Sequence, residues 1–561
     1  MSHRRGRIAF VLVAMVADEV GGGVLQSLDA AGRPAAPPEP VADLAAAVAA
    51  RERADRPRWV WASGATTYPA LLRAGVRVDR CHDVELTEAL LLGHAGRWGE
   101  PRSLAAAWAR LTGAPVPSDP PPRAAEPPGH GQDALFESLP GPPGPGIEAL
   151  TRVYADQLAR IAATGHPGRF RLLVAAESAG ALIAVEMGAA GLPWRVDVHD
   201  AVLAELLGEP SPVGGPPRRL AELTARIADA FGVRHLHADS PAELVKAFAR
   251  AGVEVPNPRA WVLRGVDHPA VPLVLEYKEL YRIWTAHGWA WRDAWVRDGR
   301  FRPEYVPGGV VSGRWATRGG GALQIPKVIR RAVVADPGWT FVVADAGQLE
   351  PRVLAAVSGD ARLAAAGGSG DLYAALARDA FGGDRARAKV ALLGAMYGQT
   401  GGSAVPALEV LRRNYPTAFG HVEAAARTGE TGGLVRSWLG RTCPPGSAGL
   451  DGEEAAPDGG DRSARARSRG RFTRNFVIQA TAAEWASTLL ATLRGELAGA
   501  AGELVFFQHD EVVVHCPKER ADVVAAAVTR SGERATALLF GETPVRFPLD
   551  VSIVDCYADA A

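Results

Sequence analysis

Apolar residues recur along this chain at two spacings, and each spacing predicts a different kind of element. Short runs of β-branched and aromatic residues predict strands. These strands are Ile8–Val16, Trp59–Ala62, Thr340–Ala344, Leu504–Phe507, Val512–Val514 and Leu549–Val554. Longer stretches with apolar positions three and four residues apart predict helices. The helices are Tyr68–Ala74, Leu86–Leu92, Ile147–Ala163, Leu172–Ala190, Arg218–Phe231, Pro241–Ala251, Val271–His287, Glu350–Val357, Leu372–Phe381, Arg385–Tyr397 and Phe472–Leu497.

The distribution of these elements predicts an α/β protein of several domains. Residues 1–113 alternate strands with helices, which indicates a small α/β domain, and residues 148–300 are mostly helical. Residues 114–147 are dense in Pro and Gly, which is typical of a linker or long loop. Residues 444–470 are rich in Gly, Ser, Asp, Glu and Arg without apolar periodicity, so we expect a mobile insertion there.

The composition is that of a soluble globular protein. The chain has 561 residues, of which 47% are hydrophobic and 22% are charged, and this length predicts about two to four domains. Its four cysteines show no paired spacing, which favours reduced thiols and a cytoplasmic location over a zinc site or disulfides. We expect no stretch to be long and apolar enough to span a membrane.

The net charge is zero, with 62 Lys and Arg against 62 Asp and Glu, so nothing in the overall charge attracts nucleic acid. Binding of nucleic acid would therefore depend on local basic surfaces. Two segments are candidates, although basic runs are commonly solvated faces. They are Arg462, Arg465, Arg467, Arg469, Arg471 and Arg474, and Arg314, Arg318, Lys327, Arg330 and Arg331.

Carboxylates at the ends of two predicted strands are the first candidates for chemistry. The apolar runs around Gln508–Glu511 predict a β-hairpin with Asp510 and Glu511 at its tip. Tight turns normally use Gly or Asn, and neither residue is present here. The two acids therefore fit either of two interpretations, a metal site or a solvated acidic turn. Asp345 follows another buried strand, where a side chain can be a metal ligand or a helix cap.

Two predicted helices carry polar stripes with a spacing of four residues. Arg385, Lys389 and Tyr397 form one stripe, which fits either a polyphosphate or an ordinary basic helix face. Arg471, Asn475 and Gln479 form the other. Such side chains can contact bases, sugars and phosphates, and a solvated polar face has the same pattern.

These motifs, taken in order, resemble the family A DNA polymerases, the DNA polymerase I group. Asp345–Arg352 is similar to the first palm motif of the family, Arg385–Gly398 to its fingers helix, and Gln508–Glu511 to its His-Asp-Glu hairpin. Further similar segments are Ser312–Arg314 and Leu323–Pro326 before the first motif, Arg471–Gln479 on the template side, and Glu177–Trp194 and Val271–Ile283 in the thumb and its return to the palm.

The resemblance implies a right-hand polymerase over residues 170–561, preceded by a ribonuclease-H-like, exonuclease-type domain in residues 1–165. The thumb would cover about 170–265, the fingers about 366–469, and the palm about 266–365 and 470–561. The implied partners are primer–template DNA and deoxynucleoside triphosphates. The protein would act as a monomer in DNA replication or repair, in the cytoplasm and associated with the nucleoid.

The resemblance also implies roles for individual residues. Asp345 and Asp510 would bridge two Mg²⁺ ions roughly 3.5–4 Å apart, with Mn²⁺ as a possible substitute, and Glu511 would assist. Lys389 would contact the nucleotide phosphates and donate a proton to the departing pyrophosphate. Glu350 would obstruct a ribose 2′-hydroxyl and so favour deoxynucleotides. The remaining nucleotide contacts would be Arg385, Tyr397, Gln348, His509 and Leu393, and the DNA contacts Arg314, Gln324, Arg471, Asn475 and Gln479.

The chain departs from the family pattern at several positions. Ala346 stands where an aromatic residue usually follows the first Asp, and Leu393 replaces the usual Phe of the fingers helix. The segment of residues 399–416 is shorter than the corresponding segment expected for the family, so part of the fingers is expected to be missing. The first predicted strand lacks the Asp-x-Glu pair of the proofreading domain, and Tyr68-Pro69 stands where the family has Tyr-Asp. We therefore expect an exonuclease-like domain without exonuclease activity, in which Asp83 and Asp156 are structural.

Two other functions fit parts of the pattern. A polymerase-fold protein that binds DNA with impaired catalysis would account for Ala346, Leu393 and the short fingers, but it would not need Asp345 and Asp510. A metal-dependent phosphohydrolase without a template would leave Arg314, Gln324, Asn475 and Gln479 without a role. An active DNA polymerase is the leading hypothesis, because it gives Asp345, Asp510 and the four DNA contacts a role.

Overall fold

The computed structural model describes residues 11–121, 146–211, 214–368, 370–398, 405–445 and 462–560. A five-stranded sheet forms the N-terminal unit, in the order β3-β2-β1-β4-β5. β1 is antiparallel to β2 and parallel to β4, and β4 is parallel to β5. The strands are β1 Leu12–Ala17, β2 Gly23–Leu28, β3 Glu39–Val41, β4 Arg58–Trp61 and β5 Arg80–Asp83, and the helices are α1 Leu44–Ala54, α2 Gly64–Arg73, α3 Val84–His94, α4 Leu104–Thr112 and α5 Ile147–Ala162.

Successive residues of β1 and β4 point to opposite faces of this sheet, and both faces are buried. Val13 and Trp59 pack on one face with the helices α1 and α2, while Ala14 and Val60 pack on the other with α4 and α5. This explains why the two strands are nearly continuous apolar runs. The predicted strand Ile8–Val16 is confirmed in part, because residues 1–10 lie outside the described residues.

Helices dominate the next segment, as the sequence predicts. They are α6 Pro167–Ala190, α7 Val196–Leu207, α8 Arg218–Ala230, α9 Pro241–Arg250, α10 Ala260–Leu263, α11 Ala270–His287 and α12 Trp289–Trp295. Short strands accompany them: β6 Leu192–Pro193, β7 Val296–Arg297, β8 Arg300–Phe301, β9 Glu304–Val306 and β10 Ala316–Arg318.

One expectation about α6 was wrong. This helix is long and apolar enough to cross a membrane by length and composition, with a mean hydropathy of 1.6 in its most apolar window. However, 56% of that window is buried inside the protein, where α6 packs against β5, α2 and the later helix α19 (Arg462–Leu497). Its apolar character is that of a core helix between the N-terminal unit and the rest of the chain.

A four-stranded antiparallel sheet in the order β12-β13-β11-β14 forms the floor of the C-terminal half. Its strands are β11 Trp339–Ala346, β12 Glu503–Gln508, β13 Glu511–Pro517 and β14 Leu549–Val554. The helices of this half are α13 Leu349–Val357, α14 Ala361–Gly367, α15 Leu372–Ala380, α16 Arg385–Tyr397, α17 Val405–Asn414, α18 Pro416–Glu430, α19 Arg462–Leu497 and α20 Ala521–Phe540. The strands agree with the predicted ones to within three residues, and the largest difference is the end of β13, predicted at Val514 and observed at Pro517.

The segment 444–470 does not wholly match its predicted character. Residues 446–461 lie outside the described residues, but α19 begins at Arg462, ten residues before the predicted start. The first turns of α19 are rich in Ala and Arg, which favour helix without apolar periodicity. An added Cβ at Gly470 would lie 2.5 Å from the Glu430 carboxylate, so a larger residue would displace that side chain, and α18 and α19 pack closely there.

Candidate active site

Three carboxylates lie side by side at one end of the C-terminal sheet. Asp345, the penultimate residue of β11, is directly opposite Glu511 on β13 and Asp550 on β14. Residues paired in this way point to the same face of an antiparallel sheet. Asp550 was not singled out by the sequence, because its proximity to Asp345 depends on the pairing of strands 200 residues apart.

The hairpin between β12 and β13 places a fourth carboxylate beside them. Its turn consists of His509 and Asp510, and His509 has a φ of +58°. A positive φ is unusual for a non-glycine residue, and such backbones concentrate at functional sites. The Ala346 amide donates a hydrogen bond of 3.1 Å to the Asp510 carbonyl, which joins the tip to β11. Glu511 is not at the tip as expected, because it begins β13.

These acids repel one another. Burial raises the pKa of Asp510 to about 7, and the nearby Asp345 charge adds to the effect. Desolvation, followed by Glu511 and Asp550, also raises the pKa of Asp345. Within the described residues, no three Asp, Glu, His or Cys side chains converge as a ready-made metal site. The donor set nevertheless suits a hard divalent cation, whose charge would relieve the repulsion.

A cavity of about 180 Å³ opens beside these acids. Its lining includes five of the predicted site residues, Arg314, Gln348, Glu350, His509 and Asp510. The Glu350 carboxylate accepts hydrogen bonds from Arg314 at 2.6 Å and from the Tyr397 hydroxyl at 2.7 Å. One glutamate thus connects three predicted motifs that are far apart in the sequence.

Asp371 links the cavity to the fingers helix. Its carboxylate accepts 2.9 Å and 2.8 Å hydrogen bonds from Gln348 and Arg385, respectively, and it also caps α15. Desolvation opposes ionisation, but the bond from Arg385 and the other hydrogen bonds lower the pKa of Asp371 to about 2. The sequence analysis missed Asp371; its position at a helix N-cap was the available signal.

Hydrogen bonds link the cationic stripe of α16 to residues of this cavity, from Tyr397 to Glu350 and from Arg385 through Asp371 to Gln348. Asp384 caps the start of the helix and Gly398, with a φ of +68°, ends it. Arg385 and Lys389 are exposed, and their charged groups lie 5.6 Å and 6.0 Å from the centre of the Tyr373 ring. Leu393 is partly buried on the same helix. The two cations are therefore accessible to an anionic ligand.

The stripe on α19 reaches the same region. Ala483, one turn after Gln479, lines the cavity. The amide oxygens of Asn475 and Gln479 are buried and have no hydrogen-bond partner among the described residues. Unpaired buried polar atoms are costly, so these two oxygens are available to accept hydrogen bonds from a ligand or from water. Arg471 is exposed beside Gly398, and Gln324 is exposed in a 3₁₀ turn whose Leu323 carbonyl accepts a 2.7 Å bond from Gln508.

Arg441 is a positioning residue that the sequence analysis missed. Gly313 has a φ of +84°, and an added Cβ would lie 2.3 Å from the Arg441 guanidinium. That guanidinium is buried in an ion pair with Glu177 of α6. The tight turn holds the following residue, Arg314, beside Glu350, which explains the Gly-Arg dipeptide.

Comparison with known families decides the classification. The model described as DNA polymerase family A matches residues 217–557, more than half of the chain. The chain belongs to DNA polymerase family A. The match includes every predicted polymerase site residue, while the predicted similarity of residues 170–216 lies outside it.

Curated relatives include "DNA polymerase I, thermostable" of Thermus thermophilus, 26% identical over 322 residues, or 51% of this chain and 36% of that protein. DNA polymerase I of Chloroflexus aurantiacus is 28% identical over 287 residues, or 46% of this chain and 29% of the relative. The chain thus matches about a third of the length of these family A relatives.

A solved structure extends the similarity in fold. It is described as the "POL domain of Pol1 from M. smegmatis complex with DNA primer-template and dNTP". The TM-score is 0.70 at 16% sequence identity, over 98% of this chain and 96% of that one. This family A chain therefore has the fold of a polymerase domain.

Proposed function

We propose that this protein is a template-directed DNA polymerase that transfers deoxynucleotides to a primer 3′-hydroxyl. The observation that carries the proposal is the cavity beside Asp510, where the hairpin tip, the β11–α13 turn and α19 meet and to which hydrogen bonds through Glu350 and Asp371 link α16. Carboxylates, accessible cations and buried amide oxygens without partners are thus found in one region, and these are the kinds of group that we propose for binding metal ions, phosphates and DNA.

Asp345 and Asp510 would hold two Mg²⁺ ions, or Mn²⁺ in their place, with Glu511 in support. When bound, these ions would activate the attacking hydroxyl and stabilise the charge of the triphosphate. Glu511 is ion-paired with Arg330 at 3.6 Å, which fits a supporting role better than a bridging one. Asp550, opposite Asp345, adds negative charge that favours cation binding.

The residues of α16 would bind and orient the nucleotide. Arg385 would leave its ion pair with Asp371 and bind a phosphate of the nucleotide instead. Lys389 would contact the phosphates and donate a proton to the leaving pyrophosphate. His509 would contact the phosphates from the hairpin tip.

Glu350, held by Tyr397 and Arg314, would occupy the space of a ribose 2′-hydroxyl. The Glu350→Ala variant is therefore expected to use ribonucleotides more readily than wild type in a primer-extension assay.

The DNA would lie across the opposite side of the cavity. Asn475 and Gln479 can donate to and accept from bases and sugars, and their unpaired oxygens support this role. Arg314, Gln324 and Arg471 would contact the primer–template backbone. We propose that the protein acts as a cytoplasmic, nucleoid-associated monomer in replication or repair.

We also propose that the N-terminal unit is exonuclease-like but inactive. The strand order and directions of its sheet support a ribonuclease-H-like fold. Asp18 is used in the β1–β2 turn, where it accepts bonds from the amides of Val20 and Gly22. Asp83 is buried and accepts from the amides of Gly64 and Leu86, and Asp156 pairs with Arg160. These acids are satisfied by the fold, as structural residues are.

The inactive exonuclease predicts that a mispaired primer stays intact. We expect wild-type protein with Mg²⁺ and no nucleotides to leave a 3′-mispaired primer at full length, as resolved by denaturing gel electrophoresis. The Asp345→Asn variant is the matched control, because it alters only the polymerase site. Shortening by both proteins would place nuclease activity in the N-terminal unit and contradict the proposal.

Primer extension tests the polymerase proposal itself. We expect the full chain with Mg²⁺ and all four deoxynucleotides to extend a primer to the end of its template. DNA binding without extension, measured by fluorescence anisotropy on the same substrate, would instead support the impaired DNA-binding protein.

A further inference from the structure

A second cavity lies on the opposite side of α19 from the candidate active site. It has a volume of about 430 Å³ and is lined by Val477 and Thr481 of that helix. These residues are each two positions from Gln479, and two residues correspond to about 200° around a helix. The cavity is therefore separate from the one beside Asp345. Its volume is in the range of small-molecule sites.

Five basic side chains line this cavity, and no carboxylate is among its described lining residues. They come from four parts of the fold and are His94, His166, Arg169, His421 and Arg436. Among the described residues, neither Arg169 nor Arg436 forms an ion pair with an acid. The nearest acid in the hydrogen-bond network, Glu484, lies behind Ser437 and Leu439, which both donate to it.

Contacts with neighbouring groups hold the two arginines of this cavity in place. The Arg169 guanidinium lies 3.4 Å from the centre of the Trp438 ring, and Arg436 donates a 2.9 Å bond to the His94 carbonyl. The Nε2 atom of His421 is buried without a hydrogen-bond partner among the described residues. The two arginine charges repel each other unless an anion is bound, and an unsatisfied ring nitrogen adds to the cost of the empty cavity.

The start of α6 adds a further positive contribution. Gly165, His166, Arg169 and Phe170 line the cavity, so the first turn of this 24-residue helix faces it. No side chain caps that helix start. Free amides and the helix dipole at such a position favour phosphate groups, and arginines bind them through paired hydrogen bonds.

We infer that this cavity binds the phosphate group of a nucleotide, at a site independent of the polymerase centre. Arg169, Arg436 and the start of α6 contact the phosphate, and His421 supplies a hydrogen bond. The apolar surfaces of Phe170 and Trp438 accommodate the rest of the ligand. Since the site joins α3 of the N-terminal unit to α18 and α19, an occupant would connect these three elements.

Isothermal titration calorimetry of the full chain without divalent cations tests this site. Arg385→Gln and Lys389→Gln are introduced first to disable the phosphate-binding helix of the polymerase centre. The probes are ADP, inorganic phosphate and single-stranded oligothymidylate. We expect Arg169→Gln with Arg436→Gln to weaken binding by at least about tenfold, because each removes a charge-assisted hydrogen bond.

Arg171→Gln is the matched control, since Arg171 is exposed on the same helix and does not line the cavity. Arg436→Gln alone guards against misfolding, because Arg436 is exposed, and its thermal unfolding should match that of the control. Tighter binding of ADP than of phosphate identifies a free nucleotide as the source, whereas binding of oligothymidylate alone identifies a nucleic-acid backbone. Equal affinities of the double variant and the control, or no binding of any probe at millimolar concentration, would overturn the inference.

Discussion

Replacing Asp510 with Asn is expected to lower the single-turnover rate of primer extension by ~1,000-fold or more. The substitution keeps the size of the side chain but removes a charge from the hairpin tip next to Asp345. Interactions with metal ions supply several kcal/mol of transition-state stabilisation, and each 1.36 kcal/mol corresponds to about tenfold in rate. Rapid-quench kinetics with a saturating nucleotide measures the effect.

The unfolding temperature distinguishes this loss of activity from misfolding of the Asp510→Asn variant. The pKa of Asp510 is raised to about 7, so its favourable contribution to folding is present below the unfolded value near 3.8 and lost as pH rises through 7. At pH 8 without metal, Asp510→Asn should therefore unfold at the same temperature as wild type or a higher one. Mg²⁺ should raise the unfolding temperature of the wild type more than that of the variant.

Glu511→Gln is the matched control on the same hairpin. Glu511 faces Arg330 as well as Asp345, so its removal should cost less activity than that of Asp510. If Asp510→Asn retained wild-type extension, or if Glu511→Gln were the more damaging change, the assignment of Asp510 as the metal ligand would be wrong.

Replacing Glu186 with Ala is expected to destabilise the protein by about 3–5 kcal/mol. Glu186 on α6 accepts hydrogen bonds from Arg494 at 2.6 Å and 2.9 Å and from the Tyr68 hydroxyl at 2.6 Å. Arg494 also donates to the carbonyls of Val78 and Asp79 in the N-terminal unit. Removing the Glu186 carboxylate would leave the buried guanidinium of Arg494 without this counter-ion, at the contact of α19 with the N-terminal unit.

Urea unfolding followed by circular dichroism measures this effect. Glu496→Ala, on the helix that carries Arg494, is the control, because the pair between Glu496 and the exposed Arg530 is expected to contribute less than about 1 kcal/mol. The pKa of Glu186 is lowered, mainly by Arg494 acting against desolvation, so the difference between wild type and Glu186→Ala should shrink as pH falls through that lowered value. Similar losses for both variants would contradict the predicted role of this network.

The sequence was most informative where local pattern and chemistry coincide. The strand before Asp345, the hairpin around Asp510 and the cationic helix from Arg385 to Tyr397 were all predicted, because each motif lies within one element. Their meeting at one cavity could be predicted only through the resemblance to a family. Spacing along a chain does not by itself define a distance in space.

The residues that were missed act through non-local contacts. Asp550 lies beside Asp345 through strand pairing, Asp371 joins two motifs from a helix cap, and Arg441 packs against Gly313 across the fold. The early start of α19 was missed for another reason. Arg462 begins a solvent-facing stretch whose composition permits helix but shows no apolar period, so neither of the patterns used could locate it.

Single-nucleotide incorporation opposite each of the four template bases tests the central claim most directly. The full chain is mixed with Mg²⁺, a primer–template and one deoxynucleotide at a time, and the primer is resolved on a sequencing gel. We predict that each template base directs addition of its complementary nucleotide, and that Asp345→Asn abolishes the addition. No addition by wild-type protein, or addition that does not depend on the template base, would contradict the account.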